Sequence, residues 1–139
     1  MFTQDPARGI LVRVLQKLKE WVIAIEIERR YTKQEILTMY LNKFDFLYQA
    51  VGIHSASNVY FGKNPIELNI EESALLVGMC KNPSYYNPAR ESRFELAKNR
   101  RHTVLGQLRR NEFINEFELD SLRSMPVQLN FNQKGHDKE

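Results

Sequence analysis

The 139-residue sequence predicts a mainly α domain of five or six helices with a short irregular C-terminal tail. Three observations carry that expectation. Apolar residues recur at helical spacing in several long stretches. Helix-start signals, an Asn, Thr or Ser followed three residues later by Glu, stand before most of those stretches. Alternating strand-like patterning is almost absent; only Val127 to Phe131 offers one short strand.

The elements follow in order. Residues 1–9 contain Pro6 and Gly9 and read as a loop. A long helix is expected from Ile10 to Arg30, with Leu11, Val14, Leu15, Leu18, Trp21, Val22 and Ile25 on one apolar arc. At ~100° per residue, Arg13, Lys17 and Glu20 fall together on a strip beside that arc, with Ala24 one turn on. Taken alone, that strip is more often a solvated helix face than a site. Thr32-Lys33-Gln34-Glu35 is a capping box opening a second helix that stops near Asn42, with Tyr40 and Leu41 expected in the core. Lys43 to Gln49 is an aromatic-rich loop, and Ala50 to Phe61 a small-faced helix stopped by Gly62.

Asn64-Pro65 turns the chain, and Asn69 caps a helix whose apolar run, Ala74 to Met79, suits the buried centre. A two-proline loop carries Tyr85 and Tyr86. Ser92-Arg93-Phe94-Glu95 is a third box opening a helix to about Asn111, and Asn115-Glu116-Phe117-Glu118 opens a short last helix.

Composition narrows the function. Hydrophobic content of 42% and charged content of 27% are those of a globular protein. A net charge of +3 is too mild to argue for nucleic acid, although Lys98 to Arg110 is a local basic run. Cys80 is the single cysteine, and His54, His102 and His136 have no ligand spacing to it or to one another, so a thiolate or imidazole metal site is not expected. Met1 to Pro6 lacks the form of a signal peptide, and no apolar run approaches the ~20 residues of a spanning helix.

Several segments line up in order with one family. Gln16-Lys17-Leu18-Lys19-Glu20 matches the pattern Arg-Lys-x-x-Glu, with Gln16 in place of the arginine. Lys33, Ile36, Leu37, Tyr40, Leu41 and Asn42 meet Lys-x-x-Ile-Leu-x-x-Tyr-Leu-Asn in full. Arg100, Arg101, Val104 and Leu105 meet Arg-Arg-x-x-Val-Leu-x-x-Met, with Leu108 in the methionine place. Val59 to Lys63, Glu71 to Leu76 and Tyr86-Asn87-Pro88 agree as well. On these residues the chain resembles the family 51 peptidoglycan glycosyltransferase domain of bifunctional class A penicillin-binding proteins. The match covers that family's third, fourth and fifth motifs. The first, Glu-Asp-x-x-Phe-x-x-His-x-Gly, and the second, Gly-x-Ser-Thr-Ile-Thr-Gln-Gln, do not occur.

The resemblance implies a lysozyme-like fold and a reaction that polymerises lipid II into β-1,4 glycan strands with inversion, releasing undecaprenyl pyrophosphate. It implies Glu20 as the retained catalytic carboxylate and Lys17 as the contact to the donor pyrophosphate. Arg13, or Arg8, is a candidate to replace the missing guanidinium. Lys33, Tyr40, Asn42, Arg100 and Arg101 would hold the motif structure. A divalent cation, magnesium or manganese, is compatible with the donor pyrophosphate. The implied partners are lipid II, a lipid-linked glycan strand and the membrane surface, not nucleic acid. The implied location of a full-length protein is the extracytoplasmic face of the cell membrane. Residues 1–125 would be the C-terminal two-thirds of such a domain, and 126–139 a linker toward a transpeptidase domain. Without the first motif's general-base glutamate, the chain alone is expected to be inactive. The competing reading is a non-catalytic module that holds lipid-linked pyrophosphate or a cell-wall partner.

Overall fold

The computed structural model describes residues 6–131. They form six α-helices: α1 Pro6–Arg30, α2 Lys33–Lys43, α3 Ile53–Phe61, α4 Ile70–Met79, α5 Phe94–Arg110 and α6 Glu116–Ser124. No strand occurs among the described residues; Asp45 and Val51 form an isolated antiparallel bridge. The mainly α expectation holds. The chain divides into two units, one ending at Tyr40 and the other beginning at Leu41.

In the first unit, α1 starts four residues earlier than its apolar pattern suggested, because Pro6 at a helix start sacrifices no needed N–H. Every described residue of α1 is exposed, including the apolar arc from Leu11 to Ile25. The Thr32 box forms as expected: the Glu35 N–H donates to Thr32 Oγ1 at 3.1 Å, and the Thr32 N–H to Glu35 Oε2 at 3.4 Å. Tyr40 corrects the expectation of a core residue, since half of its surface is exposed.

In the second unit, α4 is the buried centre that its sequence predicts. Ala74, Leu75, Leu76, Gly78 and Met79 are buried, while Val77 faces out. Gly78 permits the close approach of α5: a Cβ there would lie 3.0 Å from Arg100 Cγ. Leu75, Leu76 and Met79 share a cluster with Phe46, Tyr60, Phe61 and Ala97. Each large apolar side chain so buried contributes roughly 1.5–3 kcal/mol. A second cluster joins Ala74 and Leu105 to Ile114 and Leu119, which fixes α6 to α4 and α5.

Helix starts differ in instructive ways. The Asn115 box closes at 2.8 Å in both directions. The Ser92 box does not form; Glu91–Arg93 makes a 3-10 turn instead and α5 begins at Phe94. Helix α3 begins three residues later than expected, because Leu47, Tyr48 and Gln49 are all left-handed (φ 66°, 52° and 63°) and Gly52 sits at φ 85°. Gly62 ends α3 in the left-handed conformation, as its position predicts. Between α6 and residue 131 no strand forms. The Asn130 N–H donates to the Tyr60 carbonyl at 3.0 Å, and the Phe131 ring meets Tyr48 and Tyr60 edge-on or tilted. Of the expected 126–139 linker, residues 132–139 lie outside the described residues.

Candidate functional site

The strip anticipated on α1 is present. Lys17 Nζ donates to Glu20 Oε2 at 2.9 Å, one helical turn apart. The hydrogen bond to Glu20 and its negative charge together raise the Lys17 ammonium above its ordinary pKa. Both side chains are largely in solvent, so the pair adds little to stability. Its consequence is positional: each charge fixes where the other points.

Arg13 stands one turn before Lys17 on the same face and makes no ion pair among the described residues. Between them runs an open groove of about 410 Å³, lined by Arg13, Val14, Lys17, Leu18 and Trp21. Val14, Leu18 and Trp21 give it an apolar floor, and the two cations stand at its edge. This juxtaposition follows from helical spacing alone. Trp21 belongs to the groove as well as to the apolar arc, a double role the spacing allowed but did not single out. Arg8, the other candidate cation, is exposed near the start of the same helix.

Glu20 is the only carboxylate on this strip, and Lys17 already holds it. Among the described residues, no three His, Cys, Asp or Glu side chains gather into a metal-binding group.

The remaining motif residues fall on different elements. Lys33 opens α2 beside the Thr32–Glu35 box. Asn42 is exposed in the last turn of α2 and packs through its backbone: a Cβ at Gly52 would lie 2.6 Å from the Asn42 carbonyl oxygen. Arg100 spreads its guanidinium over the Tyr86 ring at 5.8 Å. Arg101 is 1% exposed and donates from Nη2 to the Met125 carbonyl at 2.7 Å. Its anchor to the segment after α6 is thus a backbone carbonyl, in keeping with the structural role expected of it. Desolvation lowers its pKa, a trend that Glu71 opposes.

Sequence reasoning missed one buried polar relay. Tyr60 OH donates to the Phe46 carbonyl at 2.6 Å and accepts from Asn87 Nδ2 at 3.1 Å. Asn87 was visible only within the Tyr-Asn-Pro triplet; nothing local pointed to a partner 27 residues away. The relay holds the loop after α2 against α3 and the two-proline loop, and it is structural.

A transglycosylase family model matches residues 3–109. Penicillin-binding protein 1A of Vibrio cholerae is 40% identical over 129 residues, covering 90% of this chain and 15% of that protein. Penicillin-binding protein 1F of Bacillus subtilis is 38% identical over 120 residues, covering 84% of this chain and 16% of that protein. The 2.6 Å crystal structure of penicillin-binding protein 1A from Haemophilus influenzae superposes with a TM-score of 0.66 at 34% identity, over 73% of this chain and 15% of that one. The chain spans about 15% of the length of the curated relatives it matches. No described helix is long and apolar enough to cross a membrane.

Proposed function

The chain belongs to the transglycosylase family, and from that premise we propose that it carries the donor-side machinery of a peptidoglycan glycosyltransferase. The observation that supports this most is the α1 groove, an apolar floor edged by Arg13 and Lys17 with Glu20 held one turn on. A lipid-linked pyrophosphate presents the complementary chemistry, an apolar chain joined to a compact anion.

Each residue has a role in that reading. Lys17 is a point charge that meets the pyrophosphate and offsets the negative charge growing on it as it departs. Arg13 adds a second, permanently charged contact. Glu20 would repel the phosphates if bare; the Lys17 ammonium at 2.9 Å neutralises that repulsion and leaves the second carboxylate oxygen to a sugar hydroxyl. Lys17 thus serves as the bridging cation itself, so chelation of divalent ions leaves binding unchanged in this reading.

The reaction also needs a base for the attacking hydroxyl. The sequence lacks the first-motif glutamate to which the family resemblance gives that role. Loss of a general base typically lowers the rate by ~10²–10⁴-fold. We therefore expect the 139 residues by themselves to bind donor without appreciable turnover. The test is a polymerisation assay on purified lipid II, run beside equilibrium binding of a lipid-linked pyrophosphate. Binding that Lys17→Ala abolishes, with no polymer formed, supports the reading. Robust Glu20-dependent polymerisation would sink the inactivity claim, and binding indifferent to Lys17→Ala would sink the donor-site assignment.

A further inference from the structure

The basic run that opens at Lys98 lies in the unit beginning at Leu41, and no role given so far absorbs its first turn. Lys98 and His102 stand one turn apart on α5, on the same face. From α6, Arg123 Nη2 donates to the His102 carbonyl at 3.1 Å. Gly106 makes room for that guanidinium against α5: a Cβ there would lie 3.0 Å from Arg123 Nη2. Lys98, His102 and Arg123 are all partly exposed, so a solute can reach them.

No carboxylate of the chain answers this cluster. Glu95 and Asp120 stand one turn before Lys98 and Arg123, yet among the described residues neither cation takes part in an ion pair. Arg123 Nη1 has no hydrogen-bond partner among the described residues, its Nη2 being the atom held by His102. Arg101 is buried and its Nη2 is held by the Met125 carbonyl, so it offers a ligand its charge and no donor. That same Nη2 stands 3.4 Å from His102 Nε2. A guanidinium only donates, so Nε2 accepts and the ring N–H lies on Nδ1. Desolvation lowers the His102 pKa, and the charges of Arg101, Arg123 and Lys98 lower it further, with only a backbone hydrogen bond involving Arg123 acting the other way. The imidazole is therefore neutral at pH 7.

Two fixed cations and one neutral N–H thus meet where α5 and α6 join. A phosphate group carries about −1.5 to −2 charge at pH 7 and three strong acceptor oxygens, one for each donor. A carboxylate brings one charge and two oxygens, and leaves one of the cations unanswered. We propose that the α5–α6 junction is a binding site for a phosphate group, with Lys98 Nζ, Arg123 Nη1 and His102 Nδ1 as its donors. Free phosphate and a phosphomonoester lipid headgroup share this chemistry. The inference stands apart from the transferase reading, since no residue of α1 takes part.

The experiment is NMR titration of the full 139-residue chain with inorganic phosphate at constant ionic strength, following the His54 and His102 imidazoles. Phosphate is expected to shift His102 saturably and leave His54 unmoved. The His102 pKa should rise toward its ordinary 6.5 as the bound anion offsets the neighbouring cations. Acetate should bind at least about tenfold more weakly. Lys98 is partly exposed and outside every ion pair, so Lys98→Ala tests the site without threatening the fold. It should weaken phosphate about tenfold at an unchanged urea midpoint, and Lys98→Arg should restore binding. A shift that never saturates, or that acetate reproduces, would overturn the proposal in favour of diffuse screening. Lys98→Ala with unchanged phosphate affinity would overturn it outright. Vesicles of phosphatidic acid in phosphatidylcholine then separate the two sources. Displacement of phosphate from His102 assigns the group to a lipid surface, and no displacement assigns it to the free anion.

Discussion

Substituting Gly52 by alanine tests how the end of the fourth-motif helix is joined to α3. Gly52 sits at φ 85°, ψ 156°, a region that residues with a Cβ rarely enter. Occupying it costs of order 1–3 kcal/mol. The added Cβ would also stand 2.6 Å from the Asn42 carbonyl oxygen, a backbone atom that cannot rotate aside. Forcing such overlap in a packed region costs about 1–3 kcal/mol more. The Gly52 N–H and carbonyl are both used, to Phe44 O at 2.8 Å and from Ala56 N at 3.0 Å, so the backbone has little room to yield. The expected loss for Gly52→Ala is therefore about 4 kcal/mol, a large part of the ~5–15 kcal/mol by which a domain is stable. Gly62→Ala is the internal control. Gly62 lies at φ 64°, ψ 27°, in the ordinary left-handed region, and its Cβ would meet only the amide end of the Asn130 side chain, which can swing away. Its cost should be about 1–2 kcal/mol. Urea titration followed by circular dichroism compares the two directly. If Gly52→Ala proves no worse than Gly62→Ala, the packing of Asn42 against Gly52 is not what fixes this turn.

Three further outcomes follow from the same structure. Gln49→Gly, at the exposed end of the left-handed run Leu47-Tyr48-Gln49, should stabilise the chain by about 1 kcal/mol in the same titration. Tyr60→Phe should cost about 1–3 kcal/mol, because the Phe46 carbonyl and the Asn87 amide lose their buried partner. Burial pushes the Tyr60 hydroxyl up to about 12, so the folded chain resists an ionisation that the unfolded chain undergoes near 10. Stability from this group is complete below pH ~10 and declines as pH rises through 12, which an alkaline unfolding curve of wild type against Tyr60→Phe would reveal. Lys17 follows the rule for a raised ammonium: its contribution to helix α1 is present below its ordinary pKa of 10.5 and lost as pH climbs through the raised value. Glu20→Gln should bring its titration, read by NMR at the lysine Cε, back toward the ordinary value.

Much of this architecture is legible in the sequence because its signals are local. The Thr32 and Asn115 boxes, the Gly62 stop and the apolar run of α4 each depend on residues within one or two turns, and each appears in place. The α1 strip was equally legible, since 3.6 residues per turn puts Arg13, Lys17 and Glu20 together whatever surrounds them. What escaped depends on distant partners. Leucine, tyrosine and glutamine carry no preference for left-handed backbone, so nothing announced the turn at residues 47–49 that delays α3. Ser92 has the form of a cap, yet the chain leaving Arg90 takes a 3-10 turn, and the helix starts one residue later than that cap would place it, at Phe94. Tyr40 sits on an apolar face and was expected inside, but a pattern marks which face could be covered, not whether it is. Arg101 was expected to hold the motif structure, but no local signal named its partner, a carbonyl 24 residues on.

The central claim is that α1 presents a donor-pyrophosphate site built on Lys17. Equilibrium binding of a lipid-linked pyrophosphate to the wild-type chain and to Lys17→Ala, with chelator present throughout, tests it most directly. The account predicts saturable binding in wild type and at least a tenfold loss in the variant, about 1.4 kcal/mol. Equal affinity in the two proteins would contradict it.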